Sequence, residues 1–192
     1  MSLRIGIAGT GFMGRTHAAG WHATPAHLAG FFSLEPVSAA ALAEEYGAVV
    51  FDSFEALLNA VDVVDICTPT PLHHPLALQA AAAGKAIISE KPLARTTAQA
   101  AGMIAACEQA GVPLLVAHVV RYFPEYALAQ AIVARGEIGR VAVTRLTRAS
   151  FKPNAADPTS WFHDPAQSGG MMMDLMIHDF DYARWIGGEV ES

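Results

Sequence analysis

"LRIGIAGTGFMG", residues 3–14, runs from an apolar strand pattern directly into three glycines spaced G-x-G-x-x-G. A helical pattern, Phe12–His22, follows at once. Strand, tight turn and helix in this order form the context in which such glycines cradle a dinucleotide pyrophosphate. Gly9 permits the tight turn, Gly11 lets a phosphate approach the backbone, and Gly14 lets helix and strand pack closely. The backbone N–H groups at the helix start, around Gly11, Phe12 and Met13, add partial positive charge. A glycine turn kept only for packing would share the spacing, so the rest of the chain has to decide.

Outward from this stretch, short apolar runs alternate with helical segments. The runs are "LRIGIAG", "HLAGFFS", "AVVF", "DVVDICT", "AIIS" and "PLLVAH". Helices are expected over Phe12–His22, Val37–Tyr46, from Ser53, over His73–Ala83 and over Thr96–Ala110. Strands separated by helices predict an α/β fold with a doubly wound parallel sheet covered on both faces. Pro36 suits a first helical turn, and Gly47, Gly84 and Gly111 suit helix ends.

Composition narrows the function classes. The chain has 192 residues, 53% of them hydrophobic, enough for a large core. A net charge of −6 without a Lys/Arg run argues against nucleic acid or an anionic membrane as main partner. No apolar run approaches the roughly 18–20 residues of a membrane span. Cys67 and Cys107, the only cysteines, make no disulfide framework and suit a reduced, cytoplasmic compartment. The N-terminus lacks the features of a signal peptide.

Three further stretches leave strands on the edge where doubly wound sheets bind ligands. The second strand ends in "FFSLEP", with Ser33 where a ribose-binding acid is expected and no arginine for a 2′-phosphate. Ser33 can bond either cofactor, so NAD and NADP stay open. "CTPTPLHH", residues 67–74, offers the hydroxyls of Thr68 and Thr70, the stiff Pro69, and His73 at a helix start. His73 and His74 face different ways, so no metal site is expected. "SEKPLA", residues 89–94, places Lys91 between Glu90 and Pro92. A lysine there is either a solvated charge or a group that stabilises a developing alkoxide.

After about residue 120 the pattern changes. A helix is expected over Pro124–Arg135, then "GRVAVTRLTRAS" as one long alternating strand, then the polar loop "FKPNAADPTSWFHDPAQSGG". In "SGGMMMDLMIHDFDYARW", residues 168–185, Asp174 and His178 stand four apart on one expected helix. Two inward ionisable groups need partners, and a packing histidine tied to a carboxylate is the plainer alternative to a catalytic pair.

Taken in order, "GTGFMG", "TPTPLHH", "EKPLA" and "SGGMMMDLMIHDFDYARW" resemble the Gfo/Idh/MocA oxidoreductases over nearly the whole chain, and "IHDFDYARW" is most like the inositol-dehydrogenase-type members. The resemblance implies a Rossmann domain, residues 1–120, followed by the start of a second, open-sheet α/β domain, residues 121–192, incomplete against the family pattern. It implies hydride transfer between NAD or NADP and a hydroxyl of a sugar or cyclic polyol, in a dimer or tetramer. Lys91, Asp174 and His178 match the catalytic groups, with His178 as proton acceptor and a Lys91–Pro92 bond that can be cis. The ordinary histidine pKa of about 6.5 suits that role.

Gly9, Gly11, Phe12, Met13, Gly14, Ser33, Thr68, Pro69, His73, Glu90 and Lys91 are expected at the cofactor. Lys91, Arg121, Trp161, Asp174 and His178 are expected at the substrate. Ser33, in place of the acid, and Val119, in place of a polar residue, depart from the family pattern. Two rival functions remain: a dinucleotide-binding module without turnover, and an NAD-dependent glycosidase. A metal hydrolase is more distant, for want of ligand spacing.

Overall fold

The computed structural model describes residues 2–149 and 160–191. The chain divides into two compact units, Met1–Ala117 and His118–Ser192. The division lies slightly before the expected residue 120. Val119–Tyr122 forms a 3₁₀ turn that packs on the last helix of the second unit, and Val120 is buried.

In the first unit the described strands are β1 Arg4–Ala8, β2 His27–Phe32, β3 Val49–Val50, β4 Val63–Ile66, β5 Ala86–Ser89 and β6 Leu114–Val116. All pairs are parallel, in the order β3-β2-β1-β4-β5-β6. The helices are α1 Phe12–His22, α2 Pro36–Tyr46, α3 Phe54–Ala60, α4 His73–Ala82 and α5 Thr97–Ala110. Ser53 and Thr96 cap α3 and α5 by accepting from Ala56 and Gln99 N–H groups. This is the doubly wound arrangement expected from the alternation, with its reversal of strand order between β1 and β4.

Alternation along the strands sorts side chains between two cores. Ile5, Ile7, Val63 and Cys67 pack with Ala18 and Leu42 on the α1/α2 side. Ala8, Val64, Ile66 and Ile87 pack with Leu57, Leu76 and Met103 on the other. Asp65 lies between Val63 and Cys67 in this period of two, so it faces α1. It is a carboxylate in a strand that is otherwise apolar and wholly buried.

In the second unit the helices are α6 Pro124–Ala134, α7 Pro165–Ser168, α8 Gly170–Asp174 and α9 Ile177–Gly187. Two expectations fail here. Val141–Ala149 forms no strand and belongs to no sheet among the described residues. The expected Asp174/His178 helix is also broken. The N–H groups of Leu175 and Met176 both reach the Met171 carbonyl at 3.0 Å, a widened turn, and that of His178 bonds Leu175. Asp174 therefore ends one helix and His178 sits in the first turn of the next. Of the polar loop, residues 151–159 lie outside the described residues.

Candidate functional site

At the end of β1, Gly9 makes the tight turn and Gly14 the close helix packing expected of them. Gly9 has φ +99°, and a Cβ there would stand 2.6 Å from the Cys67 carbonyl oxygen. A Cβ on Gly14 would stand 2.1 Å from the Gly9 carbonyl oxygen, so α1 packs on the turn only with glycine there. A Cβ on Gly11, by contrast, would have no heavy atom within 4 Å. The α1 start has no side-chain cap and no acid in its first turn, and Phe12 is exposed. Uncapped helix N–H groups beside open space suit an anionic ligand such as a pyrophosphate.

The hydroxyl of Ser33, at the end of β2, accepts from Thr10 Oγ1 at 2.9 Å and from the Glu35 N–H at 3.1 Å. In that arrangement its own hydrogen is left available as a donor. An arginine from outside the strand also reaches this edge. Arg15, carried there by α1, lines one open pocket with Glu35, Pro36, Val37, Ser38 and Ala41. Arg15 attracts a phosphate and Glu35 repels it. A reading confined to the strand end could not see Arg15.

After β4 the Thr68 hydroxyl is buried and finds no hydrogen-bond partner among the described residues. Pro69 precedes a 3₁₀ turn, Thr70–Leu72, that leads into α4. An orphaned hydroxyl on the binding edge suits a polar ligand group, because leaving it unpaired costs about 1–3 kcal/mol. His73 is 1% exposed, and its ring is committed to backbone: Nδ1 lies 2.9 Å from the Pro92 carbonyl and Nε2 2.8 Å from that of Thr68. It ties the β4 loop to the β5 loop. Burial pushes its pKa down, against the pull of both carbonyls.

After β5 the Lys91–Pro92 peptide is cis. Glu90 is 5% exposed and turned inward; Oε2 accepts the Lys91 N–H at 3.1 Å, and Oε1 lies 3.1 Å from His17 Nε2. Both side-chain oxygens of Glu90, a residue expected at the cofactor, are thus engaged inside the fold.

The reading of the sequence missed the group on the other side of Glu90. His17 Nδ1 lies 2.9 and 3.1 Å from the two Asp65 oxygens, and Trp21 Nε1 donates to Asp65 at 2.7 Å. The Cys67 thiol reaches Asp65 at 3.5 Å and lies 3.4 Å from His17 Nδ1. Burial pushes the thiol up to about 12. His17, Asp65 and Cys67 have the atom types of a metal site, with ligand atoms within 4.8 Å of one another. Their shared hydrogen bonds already engage those atoms, and we read the set as a hydrogen-bonded ion cluster.

In the second unit Asp174 and His178 are 8% and 9% exposed, despite the break between their helices. Arg121 holds Asp181 through two bonds of 2.8 and 2.7 Å, with its guanidinium carbon 5.5 Å from the Trp185 ring centroid. Burial of Asp181 opposes its charge, but Arg121, His118 and Arg184 hold its pKa down. Arg121, expected at the substrate, thus fastens the 3₁₀ turn to α9. Trp161, half-buried in the Trp161–His163 turn, stacks edge-on against Phe162 at 5.8 Å.

Comparison with known proteins agrees with the fold. Residues 3–118 match the family described as an oxidoreductase family with an NAD-binding Rossmann fold, and residues 126–192 match the GFO/IDH/MocA C-terminal domain. The chain is 35% identical to levoglucosan dehydrogenase of Pseudarthrobacter phenanthrenivorans, covering 100% of this chain and 53% of that protein. It is 32% identical to inositol 2-dehydrogenase of Rhizobium meliloti, covering 98% of this chain and 56% of that protein. The solved levoglucosan dehydrogenase complex with NADH and levoglucosan superposes with a TM-score of 0.86 at 33% identity, over 98% of this chain and 55% of that one. The chain thus spans about half the length of the curated relatives it matches. It belongs to the Gfo/Idh/MocA oxidoreductase family, with an NAD-binding Rossmann fold over residues 3–118.

Proposed function

We propose that the chain carries the cofactor site and catalytic groups of a nicotinamide-dependent dehydrogenase acting on a hydroxyl of a sugar or cyclic polyol. The observation that carries this reading is Gly11. Among the three glycines of the turn, it alone has open space where a side chain would be, beside uncapped helix N–H groups. The orphaned Thr68 hydroxyl supports it from the next loop. The relatives, named for levoglucosan and inositol, support the substrate class.

When bound, the nicotinamide supplies the acceptor for the hydride that leaves the carbinol carbon. His178 takes the hydroxyl proton, Asp174 orients the imidazole or the substrate, and the Lys91 ammonium stabilises the alkoxide. Thr68, Pro69 and the Gly11–Met13 backbone hold the dinucleotide, and Ser33 donates to its ribose. With Arg15 and Glu35 opposed, NAD and NADP should bind within about a hundredfold of each other, roughly 2.7 kcal/mol.

No described helix is long and apolar enough to cross a membrane, and both cysteines are free. A reduced, cytoplasmic setting and a dimeric or tetrameric whole protein complete the proposal. The test is a panel of inositols, levoglucosan and aldoses with NAD and NADP, followed by nicotinamide absorbance. Reduction with one polyol class supports the reading. Tight dinucleotide binding without reduction by any of them would instead favour a binding module.

A further inference from the structure

His17, Asp65 and Glu90 take no part in the chemistry proposed above, yet their hydrogen bonds end on the residue that does. They come from three places in the fold: α1, the middle of β4, and the loop after β5. Asp65 and Glu90 are 1% and 5% exposed. Each ring nitrogen of His17 faces a carboxylate, Nδ1 toward Asp65 at 2.9 Å and Nε2 toward Glu90 at 3.1 Å. A neutral ring has one N–H and would turn a lone pair toward the other carboxylate. Only a ring protonated at both nitrogens satisfies both.

Trp21 Nε1, a donor with no acceptor capacity, occupies the Asp65 oxygen that His17 Nδ1 also approaches. The titratable groups against His17 are therefore Asp65, Cys67 and Glu90, with Lys91 next to Glu90 in the chain. On the far side of Glu90, its second oxygen receives the Lys91 N–H.

We propose that His17 is a positioning residue, a standing imidazolium that bridges Asp65 and Glu90, fixes the Glu90 carboxylate and thereby sets the Lys91 backbone. The assignment of a catalytic task to Lys91 rests on the function proposed above; the bridge itself does not. Burial works against the charge, but the bonds to Asp65, Cys67 and Glu90 and the charge of Asp65 outweigh it and raise the His17 pKa to about 12. Loss of the His17 proton would leave two buried carboxylates facing each other across a neutral ring.

The test is nitrogen-15 spectroscopy of the full chain, with the His17 ring and the Lys91 amide assigned. In the wild type both His17 nitrogens should stay protonated between about pH 6 and 9, well past the ordinary histidine pKa of about 6.5. A ring that loses its proton within that range overturns the proposal, and this measurement needs no variant. Glu90→Gln keeps an acceptor for the Lys91 N–H but removes one charge from the bridge. His17 should then titrate at lower pH, and the Lys91 amide resonance should move in step with it. A Lys91 amide indifferent to the His17 proton in folded Glu90→Gln overturns the proposal, because side-chain packing alone gives no such coupling. None of these spectra requires a substrate, so a chain that oxidised no polyol would fail the dehydrogenase reading and leave this one standing.

Discussion

In the first unit Ile5, Ile7, Phe31, Leu57 and Met103 are wholly shielded from solvent, and its polar site residues hang from the ends of the strands they support. In the second, the buried residues among those described are Ser168, Asp174, His178 and Asp181, with Val120 and Tyr182 as apolar company. Large apolar side chains there, including Leu128, Met172 and Phe180, are exposed. One unit places its site on a hydrophobic core; the other places polar groups through ion pairs and a widened helical turn. The difference predicts that site substitutions separate cleanly from stability in the first unit and less cleanly in the second.

The largest effect should come from His178→Ala, in a form of the protein that turns over. Loss of a general base should reduce single-turnover hydride transfer roughly 10²–10⁴-fold. If His178 only packs, melting temperature falls and the folded fraction keeps its rate. Next is Gly14→Ala. A Cβ 2.1 Å from the Gly9 carbonyl oxygen must push α1 off the turn, at about 1–3 kcal/mol or more in urea unfolding. Gly11→Val breaks or sharpens the same contrast from the other side. It should leave the urea midpoint unchanged while NADH affinity falls about tenfold, roughly 1.4 kcal/mol.

A smaller effect lies in pH. His73 has a depressed pKa, so the unfolded chain binds more protons below the unperturbed value of 6.5, and stability rises with pH up to there. His17 has a raised pKa, so its contribution is complete below 6.5 and declines as pH rises from there toward about 12. Together they favour a crest of stability near 6.5. His73→Gln should flatten the acid side of the crest and leave the alkaline decline, measured as melting temperature against pH.

Much of the first unit was legible because its signals are local. Strand runs, the spacing of Gly9, Gly11 and Gly14, and the stops at Gly47 and Gly111 each act within one turn or strand. The ion cluster was not, since His17 stands 48 residues from Asp65 and 73 from Glu90. Asp65 was nonetheless a readable anomaly, a carboxylate in the middle of "DVVDICT". In the second unit, alternation over Val141–Ala149 predicted a strand, but a strand needs a neighbour to pair with, and among the described residues it has none. The i, i+4 spacing of Asp174 and His178 assumed an unbroken helix, and a one-residue widening at Met176 leaves no mark in the pattern.

The central claim is that the dinucleotide site is built wholly on the core of the first unit. Its most direct test is the dissociation constant of NADH for Met1–Ala117 alone, measured calorimetrically beside that of the whole chain. The account predicts a folded fragment whose constant lies within about threefold of the whole chain's, roughly 0.65 kcal/mol. A cooperatively folded fragment that does not bind NADH would contradict it.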